Sequence, residues 1–581
     1  MPATKKGSKL TNAITPLLYL QSLALFGFFS AHALPHFIRK LGNEVHPSLI
    51  LSTEVATILT AACLFMTARG IKMRRRRAWI IATSLQIVLI ITSLIRSGHV
   101  IFHGHEQTRL VFHVLGTSHL LSEILVLWLL LHSRKEFKTY ADPLTRTESL
   151  IFFFRASILA VLLGVLIVYS DTDSFASTVN IAQAFDIALK GLVGISGPVA
   201  FATKHAQNRM ELSLGGLGFI VAVTSLAKFL RPTKRMSVLS SENSKRIREL
   251  LAAKTDLDSL SYFALRDNKT LIWSKNLKAA IPYSVVNGVM ITTGDPVGDR
   301  ESWPSAIAEF IDEAERHAWI PAVFGCSEIA GEIWVRESGF EALEIGDEAI
   351  IDIATFTVEG PVMKNVRQTL NRITRLGYTA QSSFVRDLSA QEIEKLHSSI
   401  TLWRQNQTER GFSMALGRFC DLQDPDCLIT WAVCDDQIVG ILQFVPWGKN
   451  SLSLDVMKRS QLAETGVNEL MIQKTIEFAA AAKFEEISLN FATFRSIFER
   501  GKKLGAGPIT RINHRILVFF SRFFQMESLY RFNAKFAPRW EPRFIVFPTI
   551  GNLLRVGYAI LKVEAFIPEF STVFKRKQRI K

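Results

Sequence analysis

Four cations stand four residues apart in "YRFNAKFAPRWEPRF" (530–544): Arg531, Lys535, Arg539 and Arg543, interleaved with Phe532, Phe536, Trp540 and Phe544. This spacing lays a cationic stripe beside an aromatic one, a pairing suited to phosphate at a lipid or nucleic-acid boundary. Pro538 and Pro542 forbid one regular helix, so a helical turn running into a rigid loop is expected. A second basic group, Lys364, Arg367, Arg372 and Arg375, falls at helical spacings in "GPVMKNVRQTLNRITRLGY" (360–378). Val366, Leu370, Ile373 and Leu376 can face a core there, and Gly377 is a natural stop. No acidic residue offsets these cations, so the helix is expected to wall an anion site, a solvated basic face being the alternative. The cysteines Cys63, Cys326, Cys420, Cys427 and Cys434 form no CxxC pair. They read as reduced thiols rather than metal ligands.

These groups need elements to hold them. The chain has 581 residues, 48% of them hydrophobic, a formal net charge of +16 and a mean hydropathy of +0.20. Basic and apolar together suggest a membrane protein with a surface for something anionic. Six apolar segments of spanning length occur at 13–34, 48–68, 78–95, 110–131, 149–170 and 212–230. Cations gather at Lys5, Lys6 and Lys9, at Arg74–Arg77, around Arg134 and Lys135, and around Arg231 and Lys234, whereas the alternate loops are poorer. The positive-inside rule then puts both termini in the cytoplasm. The segment 181–202 contains Asp186 and Lys190 and reads as re-entrant or interfacial. His113, His119 and Glu123 lie at membrane depth, with His99, His103 and His105 just before them; hydrogen bonding between helices is the plain reading.

After Lys234 the pattern becomes that of an α/β protein. "SYFALRDNKTLIWS" (261–274) predicts a hairpin around Asp267-Asn268, and "LITWAVC" with "QIVGILQFV" predicts another around Asp435-Asp436. Strands are expected at 319–325, 348–354, 451–457 and 486–492, and helices over "SWPSAIAEFIDEAERHA", over 467–482 and from Phe494. Strand meander followed by strand–helix–strand occurs twice. The expected architecture is a multi-pass α-helical membrane domain (1–235, about six helices) followed by α/β tandem N-acyltransferase (GNAT)-like domains. The first covers 236–378 and ends in the basic helix; the second covers 379–550, before a basic tail at 551–581.

Several motifs resemble one family. "GDPVG" (294–298), "GFEALEIGDEAIID" (339–352), "ERGFSMALGRFCD" (409–421), "SLDVMKR" (453–459), "GVNELM" (466–471), "SLNFATFRSIFERG" (488–501) and "ESLYRFNAKFAPRWEPRF" (527–544) are similar to the catalytic domain of bacterial aminoacyl-phosphatidylglycerol synthases, in the actinobacterial branch. The resemblance covers about 240–560. It implies transfer of an amino acid, lysine or alanine, from an aminoacyl-tRNA to a hydroxyl of phosphatidylglycerol or a diacylglycerol-type lipid at the inner leaflet of the bacterial plasma membrane. An ester replaces an ester, so no cofactor and no metal is expected. The fused lysyl-tRNA synthetase of the mycobacterial relative is not matched, so a separate synthetase is expected to charge the donor, and a homo-oligomer is possible.

On this resemblance Asp455 is the catalytic or amine-orienting carboxylate, kept ionised by Lys458 and Arg459 beside it. Lys458 and Arg459 would meet phosphate or the tRNA 3′ end, Glu527 the donor amine, and Arg495 the oxyanion. Lys535, Arg539 and Arg543 would contact lipid phosphate, with Tyr530 and Trp540 lining the acyl entrance. Asp295 is expected to shape a turn. Two other classes stay open: a peptidoglycan-precursor transferase using the same donor, and a lipid flippase or transporter with a regulatory cytosolic domain.

Overall fold

The computed structural model describes residues 8–30, 54–72, 74–103, 106–137, 143–195, 197–230, 238–253, 256–404, 411–493 and 526–567. The chain divides into two compact units, Met1–Thr233 with Arg316–Ala318, and Lys234–Glu315 with Trp319–Lys581.

The first unit is helical: α1 (Ser8–Ser30), α2 (Glu54–Lys72), α3 (Arg76–His103), α4 (Glu106–His132), α5 (Pro143–Ser170), α6 (Ile181–Leu192) and α7 (Lys204–Phe229). Ile14, Leu18, Leu64, Ala68, Ala82, Val126 and Leu130 form the core between α1 and α4. Leu162 and Leu166 on α5 stay more than half exposed, as helices bathed in hydrocarbon require. Among the described residues, three stretches are long and apolar enough to cross a membrane: Arg76–Leu94, Thr147–Ser170 and His205–Phe229. Shorter apolar stretches, Ala13–Leu25 and Ser118–His132, lie on α1 and α4. The twelve residues of α6 rise about 18 Å, short of a ~30 Å hydrocarbon core, as a re-entrant or interfacial element would. His119 Nδ1 lies 3.0 Å from Glu123 Oε1 one turn along α4, a contact within one helix. The side chain of His113 lies outside the described residues.

The second unit is built on one twelve-stranded mixed sheet. After α8 (Ser241–Ala253), β1 (Thr270–Trp273), β2 (Ala279–Val286) and β3 (Val289–Thr293) form an antiparallel meander. The short β4 (Val297–Gly298) pairs with β2, and α9 (Trp303–Arg316) returns the chain to β5 (Ile320–Cys326), parallel to β3. Then come α10 (Glu328–Ser338) and β6 (Glu341–Asp352). The basic helix α11 (Lys364–Arg375) follows, ended by Gly377 at φ 83° as expected.

The second half repeats the order. β7 (Thr379–Phe384), α12 (Ala390–Arg404), β8 (Leu428–Cys434), β9 (Gln437–Trp447) and β10 (Ser451–Arg459) precede α13 (Val467–Ala481). β11 (Glu486–Thr493) is parallel to β10, and α14 (Met526–Ala534) leads to β12 (Arg539–Phe547) and α15 (Leu553–Val563). Asp435 and Asp436 both adopt positive φ in the two-residue turn between β8 and β9, the geometry an Asp-Asp hairpin was expected to take.

The halves exchange their last strands. β6 of the first pairs with β11 of the second, β12 of the second pairs with β5 of the first, and β6 and β12 pair with each other. Residues from both halves, such as Leu271, Ile291, Ile441 and Ile545, therefore share one core.

Two local expectations fail. Ser261–Leu265 is a 3-10 turn, not a strand, because all five residues are buried and a half-buried strand would have to expose every second one. The stretch after Pro538 is strand β12 rather than a loop. Pro542 fits there because it faces Asp347 next to a register shift at Arg543/Phe544, where the ladder is already interrupted.

Candidate active site

The two halves differ at one point. β3 and β5 pair over five residues, Val289–Thr293 against Ile320–Phe324. β10 and β11 pair over only three, Ser451–Ser453 against Glu486–Ser488, and then part. Two distortions drive them apart: a bulge between Leu454 and Val456 leaves Asp455 unpaired, and Asn490 takes φ +65° within a register shift of β11.

Asp455 stands at the opening. Its Oδ1 accepts the Leu416 N–H at 2.9 Å and its Oδ2 accepts Gln443 Nε2 at 2.5 Å. Gln443 is pinned in turn, its Oε1 taking the Cys420 N–H at 2.7 Å and its Nε2 also donating to the Arg418 carbonyl at 3.1 Å. The partners belong to a strap, residues 411–421, fastened elsewhere by Arg266 Nη1 on the Gly411 and Ala415 carbonyls and by Glu564 on the Phe412 and Ser413 N–H groups. Arg418 reaches Asp424, which Arg248 and the Tyr262 hydroxyl also contact. Burial pushes the Asp455 carboxyl up to about 7, against the two hydrogen bonds that favour its ionised form. Lys458 and Arg459 do not hold it ionised: Arg459 Nη1 turns to the Ala463 carbonyl at 3.1 Å, and desolvation dominates at Asp455.

Behind the opening lies a buried ion cluster. Arg543, 3% exposed, pairs with Asp258 at 2.7 Å and with Glu348, and its Nη2 donates to Ser259 Oγ at 2.9 Å. Burial opposes its charge, but Asp258, Glu348 and Asp295 outweigh that and raise its pKa well above the ordinary value. Arg543 is thus a structural cation and cannot reach a lipid phosphate. Glu348 also accepts the Ser488 hydroxyl, and Ser488 Oγ accepts the Asn490 N–H at 3.0 Å, so the cluster braces the distorted residue of β11. Asp295 accepts the Ser327 N–H and hydroxyl at 2.7 and 2.6 Å, tying the "GDPVG" turn to the N-cap of α10. Burial and the Asp258 carboxylate push Asp295 up to about 7.

Three of the cations, Arg372, Arg459 and Lys535, make contacts at the start of α13. Arg372 meets Glu464 at 3.4 Å and Thr465 Oγ1 at 2.9 Å, and the Tyr378 hydroxyl accepts the Glu464 N–H at 3.3 Å. A Cβ on Gly466 would meet Thr369 Cγ2 at 2.6 Å, so α11 packs directly against this loop. Lys535 pairs with Glu469, in the first turn of α13, at 2.8 Å. The rings of Tyr530 and Trp540 lie 5.0 Å apart. Phe532, Phe536 and Trp540 pack in one cluster with Val467, Leu470 and Ile373. Arg539 is half exposed and contacts Glu486 and Glu541, both at 2.9 Å. Arg367 is taken by the Val358 carbonyl at 2.7 Å, whereas Lys364 and Arg375 are exposed. Glu527 lies on α14 with its side chain outside the described residues, and Arg495 lies outside them altogether.

Sequence reasoning quoted the strap as a motif without a role for it, and gave none to Gln443, Glu348, Asn490 or Asn533. The strap acts through backbone N–H groups, which leave no trace in residue type. The one usable signal was asparagine inside the strand pattern "SLNFA", where it is disfavoured.

Residues 248–547, more than half of the chain, match the family profile described as phosphatidylglycerol lysyltransferase, C-terminal. The lysylphosphatidylglycerol biosynthesis bifunctional protein LysX of Gordonia bronchialis is 35% identical over 531 residues, 89% of this chain and 46% of that protein. Its counterpart in Mycolicibacterium gilvum is 34% identical over 540 residues, 93% of this chain and 48% of that protein. The chain spans about half the length of these curated relatives. A solved structure of L-PGS from Bacillus licheniformis is similar over 57% of this chain and 98% of its own, at 20% identity and a TM-score of 0.49. By the extent of the profile match, the chain belongs to the phosphatidylglycerol lysyltransferase family.

Proposed function

We propose that this chain moves an aminoacyl group, lysine first among the candidates, from an aminoacyl-tRNA to a hydroxyl of phosphatidylglycerol at the inner leaflet. The observation that carries the reading is Asp455: a carboxyl brought to about 7, where β10 and β11 part. A base near neutrality takes a proton efficiently without being permanently protonated. In the proposed step the lipid hydroxyl oxygen attacks the ester carbonyl while its proton passes to Asp455. The tetrahedral centre collapses, the bond to the tRNA 3′ oxygen breaks, and the proton returns to that oxygen. Bond types balance, so the protein has only to align two polyanions and exclude water.

For the polyanions the reading uses the exposed Lys364 and Arg375 of α11 together with Arg372, Arg459 and Lys535 at the start of α13, with Tyr530 and Trp540 as apolar surface. The proposed arrangement keeps six spans in the membrane, with both termini and the sheet unit cytoplasmic, where charged tRNA is available. The relatives' printed names, lysylphosphatidylglycerol biosynthesis, favour lysine over alanine.

The test uses the full chain in detergent micelles containing phosphatidylglycerol, with labelled lysyl-tRNA or alanyl-tRNA. Chloroform-soluble label in the lysyl reaction is expected. Replacing phosphatidylglycerol by diacylglycerol distinguishes the acceptors. Label that stays entirely in the aqueous phase with every lipid would refute the reading.

A further inference from the structure

Two amides where β10 and β11 part are turned by their surroundings in a way that leaves their oxygens without donors. Asn490 Nδ2 donates to the Leu454 carbonyl, and Asn533 Nδ2 donates to the Leu489 carbonyl at 3.4 Å. A carbonyl oxygen only accepts, so each amide must present its NH2 group there and its Oδ1 elsewhere. Neither Oδ1 has a hydrogen-bond partner among the described residues. Both residues are more than nine-tenths buried, Asn490 at 8% exposure and Asn533 at 0%. Because Leu489 and Asn490 are adjacent in the chain, the two amides are neighbours. Ser453 Oγ, in the last residue pair before β10 and β11 part, is a third buried oxygen without a partner. Buried acceptors without donors are rare and costly, and such oxygens near Asp455 call for a donor.

The chemistry of these atoms selects their partner. Two amide oxygens can only accept and the Ser453 hydroxyl can accept as well as donate, so together they suit a group rich in N–H. Asp455, which follows Leu454 directly, adds negative potential when ionised, whereas Glu469 is already matched by Lys535. We propose that Oδ1 of Asn490 and Oδ1 of Asn533 receive an ammonium group of the aminoacyl donor and so set its ester carbonyl beside Asp455. This deepens the aminoacyl-transfer reading and rests on it. It makes the two asparagines selectors of a free amine, a task that the sequence assigned to Glu527.

The experiment compares lysyl-tRNA with Nα-acetyl-lysyl-tRNA and Nε-acetyl-lysyl-tRNA as donors to phosphatidylglycerol, using the full chain in detergent. Wild type is expected to reject one acetylated donor by about tenfold or more, the effect of losing a hydrogen bond to a charged group. The donor rejected tells whether the α or the ε ammonium sits there. Asn533→Leu, of similar size but without an acceptor, is expected to lose the preference and to raise KM for lysyl-tRNA with KM for lipid unchanged. Asn533→Asp, which keeps an acceptor, retains it. If Asn533→Leu does not accumulate, competition of the wild type by lysine methyl ester against its diacetylated form reads the same preference. Product with an unchanged preference in Asn533→Leu, or equal competition by the two esters, overturns this proposal alone. No product from wild type with any donor overturns the transfer reading and this proposal with it.

Discussion

Asp455→Asn keeps the size of the side chain and removes its ability to take a proton. Its structural cost follows from the two donors that converge on it. The Leu416 N–H and Gln443 Nε2 each meet a different carboxylate oxygen, and asparagine offers only one acceptor. Its NH2 must therefore face a donor. Gln443 cannot turn to relieve this, because Cys420 and Arg418 fix both ends of its amide. One unmet buried donor costs about 1–3 kcal/mol. Against that, ionising the wild-type carboxyl at about 7 rather than 3.8 costs the folded state up to roughly 4 kcal/mol at high pH, at 1.36 kcal/mol per unit. At pH 8 relief of that cost exceeds the unmet donor, so the variant is expected to accumulate in membranes.

Activity is another matter. Loss of a general base lowers the rate about 10²–10⁴-fold. Single-turnover transfer of labelled lysine to phosphatidylglycerol, followed from pH 5.5 to 9, is the assay. In wild type the rate rises with pH through about 7 and levels off, because the base must be unprotonated. In Asp455→Asn the residual rate lacks that limb. A variant within about threefold of wild type, or a wild-type rate flat across the range, would refute the assignment of Asp455 as base.

The remaining predictions concern the scaffold. Asp295 is raised to about 7, so its contribution to stability is full below its unfolded value of about 3.8 and is lost as pH rises through 7. Thermal unfolding in detergent should show wild type losing roughly 2–3 kcal/mol between pH 5 and 8 from this group, a slope Asp295→Asn flattens because an amide does not titrate, while its oxygen still accepts from Ser327; an equal slope in the variant would exclude Asp295 as its source. Arg543→Ala strands Asp258 and Glu348 without their cation and should cost about 3–5 kcal/mol, seen as loss of folded protein. Arg539→Ala should cost no more than about 1 kcal/mol, its pairs being half exposed; equal accumulation of the two variants would contradict the buried cluster. Residues 236–378 expressed alone should not fold, since β12 must stand between β5 and β6. A cooperative unfolding transition of that fragment would show that strand exchange is dispensable.

How legible was this in the chain? Helix α11 came out at its predicted bounds because its apolar positions repeat at helical spacing and Gly377 ends it, both local facts. The β8–β9 hairpin was equally local, the Asp435-Asp436 turn selecting its own geometry. The sheet was harder. The repeated element order was visible, but the exchange of β6 and β12 depends on pairings between residues some 200 positions apart, such as Arg543 with Gly346. Nothing in a single strand states its neighbour.

The same limit governs the site. Within "RWEPRF", Arg539 and Arg543 look alike in sequence, yet one is half exposed and the other is 3% exposed against Asp258 and Glu348. By itself the sequence determined most of the strands and helices, the runs in which the cations stand, and that Asp455 belongs to a strand, in whose middle the structure then puts it. Only the tertiary structure decided which cations face water, where the sheet opens and what charge Asp455 carries. The reason is physical. Propensity and periodicity act over a few residues, whereas desolvation and ion pairing are set by whatever distant segments close around a group.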